Sequence, residues 1–202
     1  MIKEDISRIR AIILAAGESK RMGFPKMLLT FNGLSMIENV ISNVLKSCIK
    51  DIIVVLGANK EKLSDLVEKM NVNHCINDNY KEGMLSSVIC GLCCLPEDTR
   101  AVLIFQGDQP FIKPHVIDLV VETYLLSKKG IIIPVYSGKR GHPVLIDIKY
   151  KKEIERLDPE IGLRSLSVIH SSDVQEIETG EPDILRDFDT YEDYKVEINK
   201  MK

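Results

Sequence analysis

The strongest constraint on the fold is a short apolar run near the start of the chain, which ends abruptly in a polar, glycine-containing loop. The run extends from Ala11 to Ala16 and carries no charged residue. This length and composition are typical of a strand buried on both faces of a parallel sheet. The loop begins at Gly17, so we expect a buried strand with a ligand-accessible turn at its carboxyl end.

The loop itself carries residue types that suit a polyphosphate. Ala15, Ala16 and Gly17 are small, so a ligand can lie close to the backbone and accept hydrogen bonds from its amides. Three cations follow within seven positions, at Lys20, Arg21 and Lys26. The loop has neither the Gly-Lys-Ser/Thr of a Walker loop nor the Gly-x-Gly-x-x-Gly of a dinucleotide site. The alternative is a solvated strand-to-helix loop with ordinary surface cations.

Apolar runs alternate with helical periodicity along the rest of the chain. The predicted strands are 11–16, 52–56, 72–76, 101–105, 131–135 and 174–177. The predicted helices are 36–46, 59–70, 83–95, 114–126, 149–157 and 190–198, with another beginning near 161. This alternation predicts an α/β fold with a mainly parallel sheet, in one domain spanning residues 1–202. A glycine-rich turn at 137–143 predicts a hairpin, and hence a mixed sheet.

Acidic residues occur where a metal would be useful. Asp108 directly follows the strand 101–105, and the carboxyl ends of strands are where ligands bind in open α/β sheets. Mg²⁺ prefers one or two carboxylates together with phosphate oxygens and water, so we expect Asp108 to be a metal ligand. Asp187 and Asp189 are two residues apart, so both can face one cation from an extended segment. The alternative is that Asp108, or one of this pair, only caps a helix.

Two further segments contain candidate ligand-binding residues. Gly83, Ser86 and Ser87 lie at the start of a predicted helix, where an anion or a nucleotide base can bind, although a simple helix cap explains them equally well. The triplet Gly141-His142-Pro143 lies at the entrance to a strand. His142 can donate to a substrate phosphate there, but a lone histidine is more often structural.

The net charge and the cysteine content argue against several classes of function. The net charge of −3 argues against a broad nucleic-acid or membrane surface, and no apolar run approaches the roughly 18 residues that a membrane span needs. Five cysteines without a secretory signal predict reduced thiols in the cytoplasm. Cys90-x-x-Cys93-Cys94 lacks two further ligands at suitable spacing, so we interpret these cysteines as small apolar residues.

Four motifs, in this order, resemble those of nucleotidyltransferases of the molybdenum cofactor branch. They are Leu14-Ala15-Ala16-Gly17-x-Ser19-x-Arg21-Met22-Gly23-x-x-Lys26, Gly107-Asp108-Gln109-Pro110, Gly141-His142-Pro143 and Asp187-Phe188-Asp189-Thr190. The resemblance implies a three-layer, Rossmann-like nucleotidyltransferase fold (GT-A-like) with a mainly parallel mixed sheet. Ala15-Ala16-Gly17 is similar to the cytidylyl branch, whereas the guanylyl branch tends to carry Ala-Gly-Gly. A departure from the family is Tyr191, where members often have Pro.

The resemblance also implies roles for individual residues. Nucleotide-binding roles fall on Leu14, Ala15, Ala16, Gly17, Arg21, Lys26, Ser86 and Ser87. Pterin-binding roles fall on Gly141, His142, Pro143 and Arg164. Asp108, Asp189 and Asp187 are the candidate Mg²⁺ ligands, and Arg21, Lys26 and Asp108 are the candidate catalytic residues.

The expected reaction is transfer of CMP from CTP to the phosphate of the molybdopterin-bound molybdenum cofactor, with release of pyrophosphate. Such a transfer requires positioning and charge neutralisation rather than a nucleophilic side chain. The expected partners are CTP, a pterin-phosphate cofactor and a molybdoenzyme that receives the product, with no nucleic acid and no membrane. Two alternatives are a nucleotidyltransferase acting on a sugar or alditol phosphate and a non-catalytic carrier of the pterin cofactor.

Overall fold

The strands of the protein lie where the apolar runs predict them. A computed structural model describes residues 2–31, 33–188 and 190–200. The strands are β1 (Ile9–Ala15), β2 (Thr30–Phe31), β3 (Leu34–Ser35), β4 (Ile52–Leu56), β5 (Asn73–Ile76), β6 (Ala101–Gln106), β7 (Ile131–Tyr136), β8 (Lys139–Arg140), β9 (Val144–Asp147) and β10 (Val174–Glu178). Every residue of β1 and β4 is buried, which confirms the prediction of strands covered on both faces.

The main sheet is mixed. Its order is β10-β7-β9-β6-β1-β4-β5, with β8 paired to β7, and β2 and β3 form a separate hairpin. β1 pairs in parallel with both β4 and β6, β4 with β5, and β7 with β10. β9 runs antiparallel to both β6 and β7, and β8 runs antiparallel to β7. The hairpin predicted at the glycine-rich turn is therefore confirmed, and it is the source of the antiparallel strands.

Helices cover both faces of the sheet. They are α1 (Ile2–Ser7), α2 (Met36–Lys46), α3 (Lys60–Lys69), α4 (Met84–Cys93), α5 (Pro114–Ser127), α6 (Lys151–Ile154), α7 (Arg164–Ile169) and α8 (Tyr191–Lys200). One apolar cluster joins one face of the strands to α2, α3 and α5, and a second joins the other face to α4, α6 and α7. Neighbouring residues of β1 belong to different clusters, Ile13 to the first and Ile12 to the second. The expected three-layer α/β fold is confirmed.

Local signals set the helix boundaries in most cases. Ser35 accepts a hydrogen bond from the Glu38 backbone N–H, while the Glu38 carboxylate accepts from the Ser35 N–H, which forms a capping box at the start of α2. The predicted helix 149–157 is wrong in extent, because only α6 is α-helical. The Asp147 side chain accepts a hydrogen bond from the Lys149 N–H, and a 3₁₀ turn begins there. At the other end, the Leu157 N–H donates to the Ile154 carbonyl, which is the spacing of a 3₁₀ turn and not of an α-helix.

The topology brings the predicted site segments to one edge of the sheet. β1, β4, β5 and β6 are parallel, so the loops that follow them leave from the same edge. Because β9 is antiparallel to β6, the residues that precede β9 lie at this edge as well. Among the described residues, no helix is both long and apolar enough to cross a membrane.

Candidate active site

The loop after β1 joins a buried strand end to exposed polar residues. Leu14, Ala15 and Ala16 are buried, so a ligand at this point meets mainly their backbone, whereas Gly17 and Arg21 are exposed. The backbone N–H of Lys26 donates to Ser19 Oγ at 3.1 Å, which ties the two ends of the cationic part of the loop together. Ser19 was in the sequence motif, but its role in closing the loop was not anticipated.

Lys26 and Asp108 form the centre of the site. The Lys26 ammonium donates to Asp108 Oδ2 and to the Phe188 carbonyl oxygen, the latter at 3.3 Å. Only 16% of the Lys26 side chain and 13% of the Asp108 side chain are exposed. The residue before α5 is Lys113, whose side chain makes no capping bond, so Asp108 does not cap that helix.

Gly107 allows the Asp108 loop to lie directly against β1. Its backbone N–H donates to the Leu14 carbonyl at 2.9 Å. A Cβ at Gly107 would lie 2.9 Å from that carbonyl oxygen and 3.0 Å from the Met27 sulfur. The glycine is therefore required for close approach of two backbones, and this approach places Asp108 next to the cationic loop.

The serines at the start of α4 are held by a residue that sequence reasoning missed. Asn77, which directly follows β5 and is buried, donates to Ser86 Oγ at 2.9 Å and to Ser87 Oγ at 3.0 Å. Its backbone N–H donates to the Leu56 carbonyl, and that of Ala58 donates to the Ala16 carbonyl. The start of α4 is thereby linked through β4 to the loop after β1. The available signal was a polar residue at the carboxyl end of a strand.

The Gly141-His142-Pro143 segment lies beside the end of β6. The Gly141 N–H donates to the Pro134 carbonyl at 2.8 Å, and a Cβ at Gly141 would lie 2.6 Å from the Ile184 carbonyl oxygen. Burial lowers the pKa of His142 to about 4; the Asp108 carboxylate opposes this shift and the Arg164 guanidinium adds to it. His142 is therefore a neutral imidazole at neutral pH. Arg164 is exposed at the start of α7, and its positive charge contributes to the lowered pKa of His142.

The predicted metal ligands are only partly described. Asp108 is buried, Asp187 is exposed and directly precedes Phe188, and Asp189 lies outside the described residues. No three His, Cys, Asp or Glu side chains are grouped for metal binding in the described part of the chain. Asp108 nevertheless offers the carboxylate oxygens that a hard divalent cation prefers, and the adjacent Gln109 has a buried amide oxygen without a hydrogen-bond partner among the described residues.

The cysteines of α4 lie close to a thiol of β5. The Sγ atoms of Cys75 and Cys90 are 3.5 Å apart, while Cys93 and Cys94 are exposed. Burial is the main cause that raises the pKa of both Cys75 and Cys90. These thiols are therefore protonated at neutral pH and pack as small apolar groups.

The fold and the cationic loop are those expected of a nucleotidyltransferase, and comparison with known families shows the family of this chain. Residues 11–174 match the MobA-like NTP transferase domain, so the chain belongs to this family of NTP-dependent nucleotidyltransferases. It is 28% identical over 189 residues to the molybdenum cofactor cytidylyltransferase of Escherichia coli, a match that covers 94% of this chain and 95% of that protein. It is 35% identical over 133 residues to a probable molybdenum cofactor guanylyltransferase of Natranaerobius thermophilus, covering 64% of this chain and 62% of that protein.

Solved structures agree on the fold. The crystal structure of Rv0371c from Mycobacterium tuberculosis superposes with a TM-score of 0.80 at 22% identity, covering 95% of this chain and 98% of that one. A structure of Rv0371c in complex with manganese superposes with a TM-score of 0.77 at 20% identity, covering 95% of this chain and 98% of that one. The sequence resemblance to nucleotidyltransferases of the molybdenum cofactor branch is thus confirmed at the level of family and fold.

Proposed function

We propose that the protein transfers CMP from CTP to the terminal phosphate of the pterin in molybdenum cofactor and releases pyrophosphate. The observation that carries this proposal is the meeting of three elements at one edge of the sheet: the cationic loop, the Lys26–Asp108 pair and His142. The similarity to a cytidylyltransferase along nearly the whole chain supports the choice of substrates.

For this reaction the protein must neutralise the negative charge of the phosphates and align the acceptor phosphate with the α-phosphate of CTP. An oxygen of the acceptor phosphate attacks the α-phosphorus of CTP, the bond to the β-phosphate breaks, and pyrophosphate leaves with the bonding electron pair. The Arg21 guanidinium can grip phosphate oxygens in a bidentate fashion, and Lys26 contributes a point charge from inside the site. The triphosphate contacts the backbone of Leu14, Ala15, Ala16 and Gly17. The nucleoside lies on the side of β4 and β5, next to Ser86 and Ser87.

A divalent metal completes the proposal. We propose that Asp108 holds Mg²⁺ together with Asp187 and Asp189, and that the ion, when bound, neutralises charge on the phosphates. The manganese complex of Rv0371c supports a divalent cation on this fold. The pterin would then lie on the side of β9, where Gly141, His142, Pro143 and Arg164 are found.

Base choice is proposed from Ala16. This residue is 4% exposed, and its methyl group lies where the end of β4 approaches, since a Cβ at Gly57 would be 2.8 Å from it. A glycine at this position, as in the guanylyl branch, would leave more room for a purine. The resemblance of Ala15-Ala16-Gly17 to the cytidylyl branch therefore supports CTP over GTP as the nucleotide.

The proposed reaction is tested by pyrophosphate release with Mg²⁺ and CTP, GTP, ATP or UTP, each with and without the molybdopterin-type cofactor. We expect release with CTP only when the cofactor is present. A preference for GTP would overturn the argument from Ala16. Cofactor binding without release would indicate a carrier, and activity on sugar phosphates alone would indicate the other branch of transferases.

The role of Asp108 is tested by Asp108→Ala. Loss of a group that neutralises charge in the transition state typically lowers the rate by about 10²–10³, and we expect a loss of that size. Asp65→Ala is the matched control, because Asp65 is exposed on α3 and its replacement changes the net charge equally. Near-normal turnover of Asp108→Ala would refute a catalytic role for this carboxylate.

We also propose that residues 1–202 form one domain located in the cytoplasm, where its thiols stay reduced and its product passes to a molybdoenzyme. The segment after the family match packs onto the amino-terminal half. Phe188 is buried with Met22 and Met36, and Tyr194 Oη donates to the Thr30 carbonyl at 2.6 Å. Release of a stable fragment by limited proteolysis would contradict the single domain.

A further inference from the structure

Gln106 lies opposite His142 because of the strand register. In the antiparallel pairing of β6 with β9, Ile104 lies opposite Val144. Two residues further along, the same register sets Gln106, the last residue of β6, opposite His142. Directly opposed residues project from the same face of a sheet, so their side chains are neighbours. Gln106 Nε2 is indeed 3.3 Å from His142 Nε2.

The orientation of the Gln106 amide determines which tautomer of His142 it can hold. In the structure the amide nitrogen faces the ring, and in this orientation it donates a hydrogen bond to His142 Nε2, which leaves the ring proton on Nδ1. We propose that Gln106 is a positioning residue that fixes this tautomer, so that His142 presents Nδ1–H to a hydrogen-bond acceptor of the acceptor substrate. The identity of the substrate in this inference rests on the proposed function. The tautomer of His142 does not.

The backbone of the Gly141-His142 segment is fixed against Ile184. The His142 backbone N–H donates to the Ile184 carbonyl at 3.2 Å, and Gly141 is pressed against the same residue. The imidazole carries a single proton at neutral pH, because burial lowers its pKa. A neutral ring has one donor and one acceptor, so fixing the acceptor side fixes the donor side. His142 as a whole residue is half-buried, so part of its surface stays open to a ligand although burial lowers the pKa of the ring.

The sheet order indicates which substrate His142 contacts. The order β9-β6-β1-β4-β5 places Asp108, which follows β6, between His142 on one side and Ser86 and Ser87 on the other. With the nucleoside on the side of β4 and β5 and the phosphates near Lys26 and Asp108, His142 is left for the acceptor. A neutral, oriented N–H suits a carbonyl oxygen, a ring nitrogen or a phosphate oxygen of that substrate.

The tautomer is measured directly by ¹⁵N–¹H correlation spectra of the imidazoles at neutral pH, with no substrate present. His142→Asn identifies the His142 signals among those of the four histidines. We expect the Nδ1–H form in the wild-type protein and a mixture of tautomers in Gln106→Leu. Gln106→Glu, whose carboxylate accepts a hydrogen bond, should convert His142 to the Nε2–H form. A wild-type Nε2–H form, or spectra that Gln106→Leu leaves unchanged, would overturn the proposal.

Kinetics test the consequence for the substrate. We expect Gln106→Leu to raise KM for the pterin acceptor about five- to tenfold, as for loss of one oriented neutral hydrogen bond, with KM for CTP within about twofold. Gln175→Leu is the matched control, because Gln175 lies on β10 and its side chain donates to the carbonyl of the neighbouring Glu176. Equal rises in both KM values would overturn the assignment to the acceptor.

These two experiments separate the inference from the proposed function. If no nucleotide is transferred to the pterin, the proposed function fails while the spectra still decide the tautomer. If Gln106→Leu does not fold, the wild-type spectra and the Gln106→Glu exchange still decide it. A correct tautomer combined with an unchanged acceptor KM would refute the role of His142 in substrate binding.

Discussion

Lys26 and the proposed metal ion need the same carboxylate. In the free protein the Lys26 ammonium donates to Asp108 Oδ2, and both side chains are largely buried. Breaking such a pair leaves an unbalanced buried charge, so the ammonium leaves Asp108 readily only when other anions replace it. A nucleoside triphosphate supplies those anions. Lys26 can therefore move to the phosphates as the metal binds Asp108, which makes metal and nucleotide binding mutually supportive.

Lys26→Met tests this competition without an activity assay. We expect the variant to bind Mn²⁺ about tenfold more tightly than the wild type in the absence of nucleotide, because a resident cation has been removed from Asp108. We expect it to bind CTP more weakly, because a phosphate contact is lost. Binding of Mn²⁺ is followed by the electron paramagnetic resonance signal of the free ion.

Lys20→Met is the matched control for the metal titration. Lys20 belongs to the same loop, but 78% of its side chain is exposed and it pairs with Glu18 rather than with Asp108. The control loses the same charge, so a general electrostatic effect would appear in both variants. Equal Mn²⁺ affinities for Lys26→Met and Lys20→Met would show that Lys26 does not compete for Asp108.

At the scale of elements, helix α4 packs directly against the sheet at Gly91. A Cβ at Gly91 would lie 2.7 Å from Ile12 Cγ2 and 3.1 Å from Val55 Cγ2. The close approach positions the whole helix, including Ser86 and Ser87 at its start, against β1 and β4. Any side chain at position 91 must therefore displace the helix or the strands.

Gly91→Val is predicted to destabilise the protein and to disturb nucleotide binding. Overpacking of this kind costs about 1–3 kcal/mol, measured as the free energy of unfolding in urea. KM for CTP should rise as α4 moves. Cys93→Val, at an exposed position of the same helix, should change stability by less than about 0.5 kcal/mol. Similar effects of both substitutions would mean that helix propensity, not packing, is responsible.

At the scale of the whole molecule, Asp173 joins distant parts of the edge opposite the active site. Asp173 Oδ2 accepts from Tyr150 Oη at 2.6 Å and from Lys149 Nζ at 2.7 Å. Burial alone would raise the pKa of Asp173, but hydrogen bonds from Lys149, Tyr150 and the Gly130 backbone lower it below its usual value of 3.8. The turn before β10 is thereby tied to the turn after β9.

The lowered pKa makes stability depend on pH in a defined direction. Below pH 3.8 the unfolded chain binds a proton at Asp173 before the folded chain does, so stability falls as pH falls toward the folded pKa. At neutral pH, Asp173→Asn should cost about 1.5–3 kcal/mol, the range for hydrogen bonds to a charged group. Thermal unfolding should show that the stability difference between the wild type and Asp173→Asn becomes smaller under acid conditions. The control Asp65→Asn should have the stability of the wild type at every pH. A difference that is constant with pH would refute the ionic origin.

The elements of this fold were largely predictable from local patterns. Apolar runs of strand length predicted β1 and β4, and helical periodicity predicted the start of α2 at residue 36. The predicted helix 149–157 was wrong in extent, because the capping bond from Asp147 favours a tight turn that helical periodicity does not reveal. The motif residues Lys26 and Asp108 were recognised, but their direct contact was not.

The sequence by itself determined the α/β class, the cationic loop and the carboxylate at the end of a buried strand, because these depend on residue types and spacings within a few turns. Only the tertiary structure decided the contacts of Lys26 with Asp108 and of Gln106 with His142, which join residues 82 and 36 positions apart. It also decided that His142 is neutral, because the pKa depends on the neighbours that burial brings to the ring. Strand order and register set these distances, and neither is encoded in any single segment.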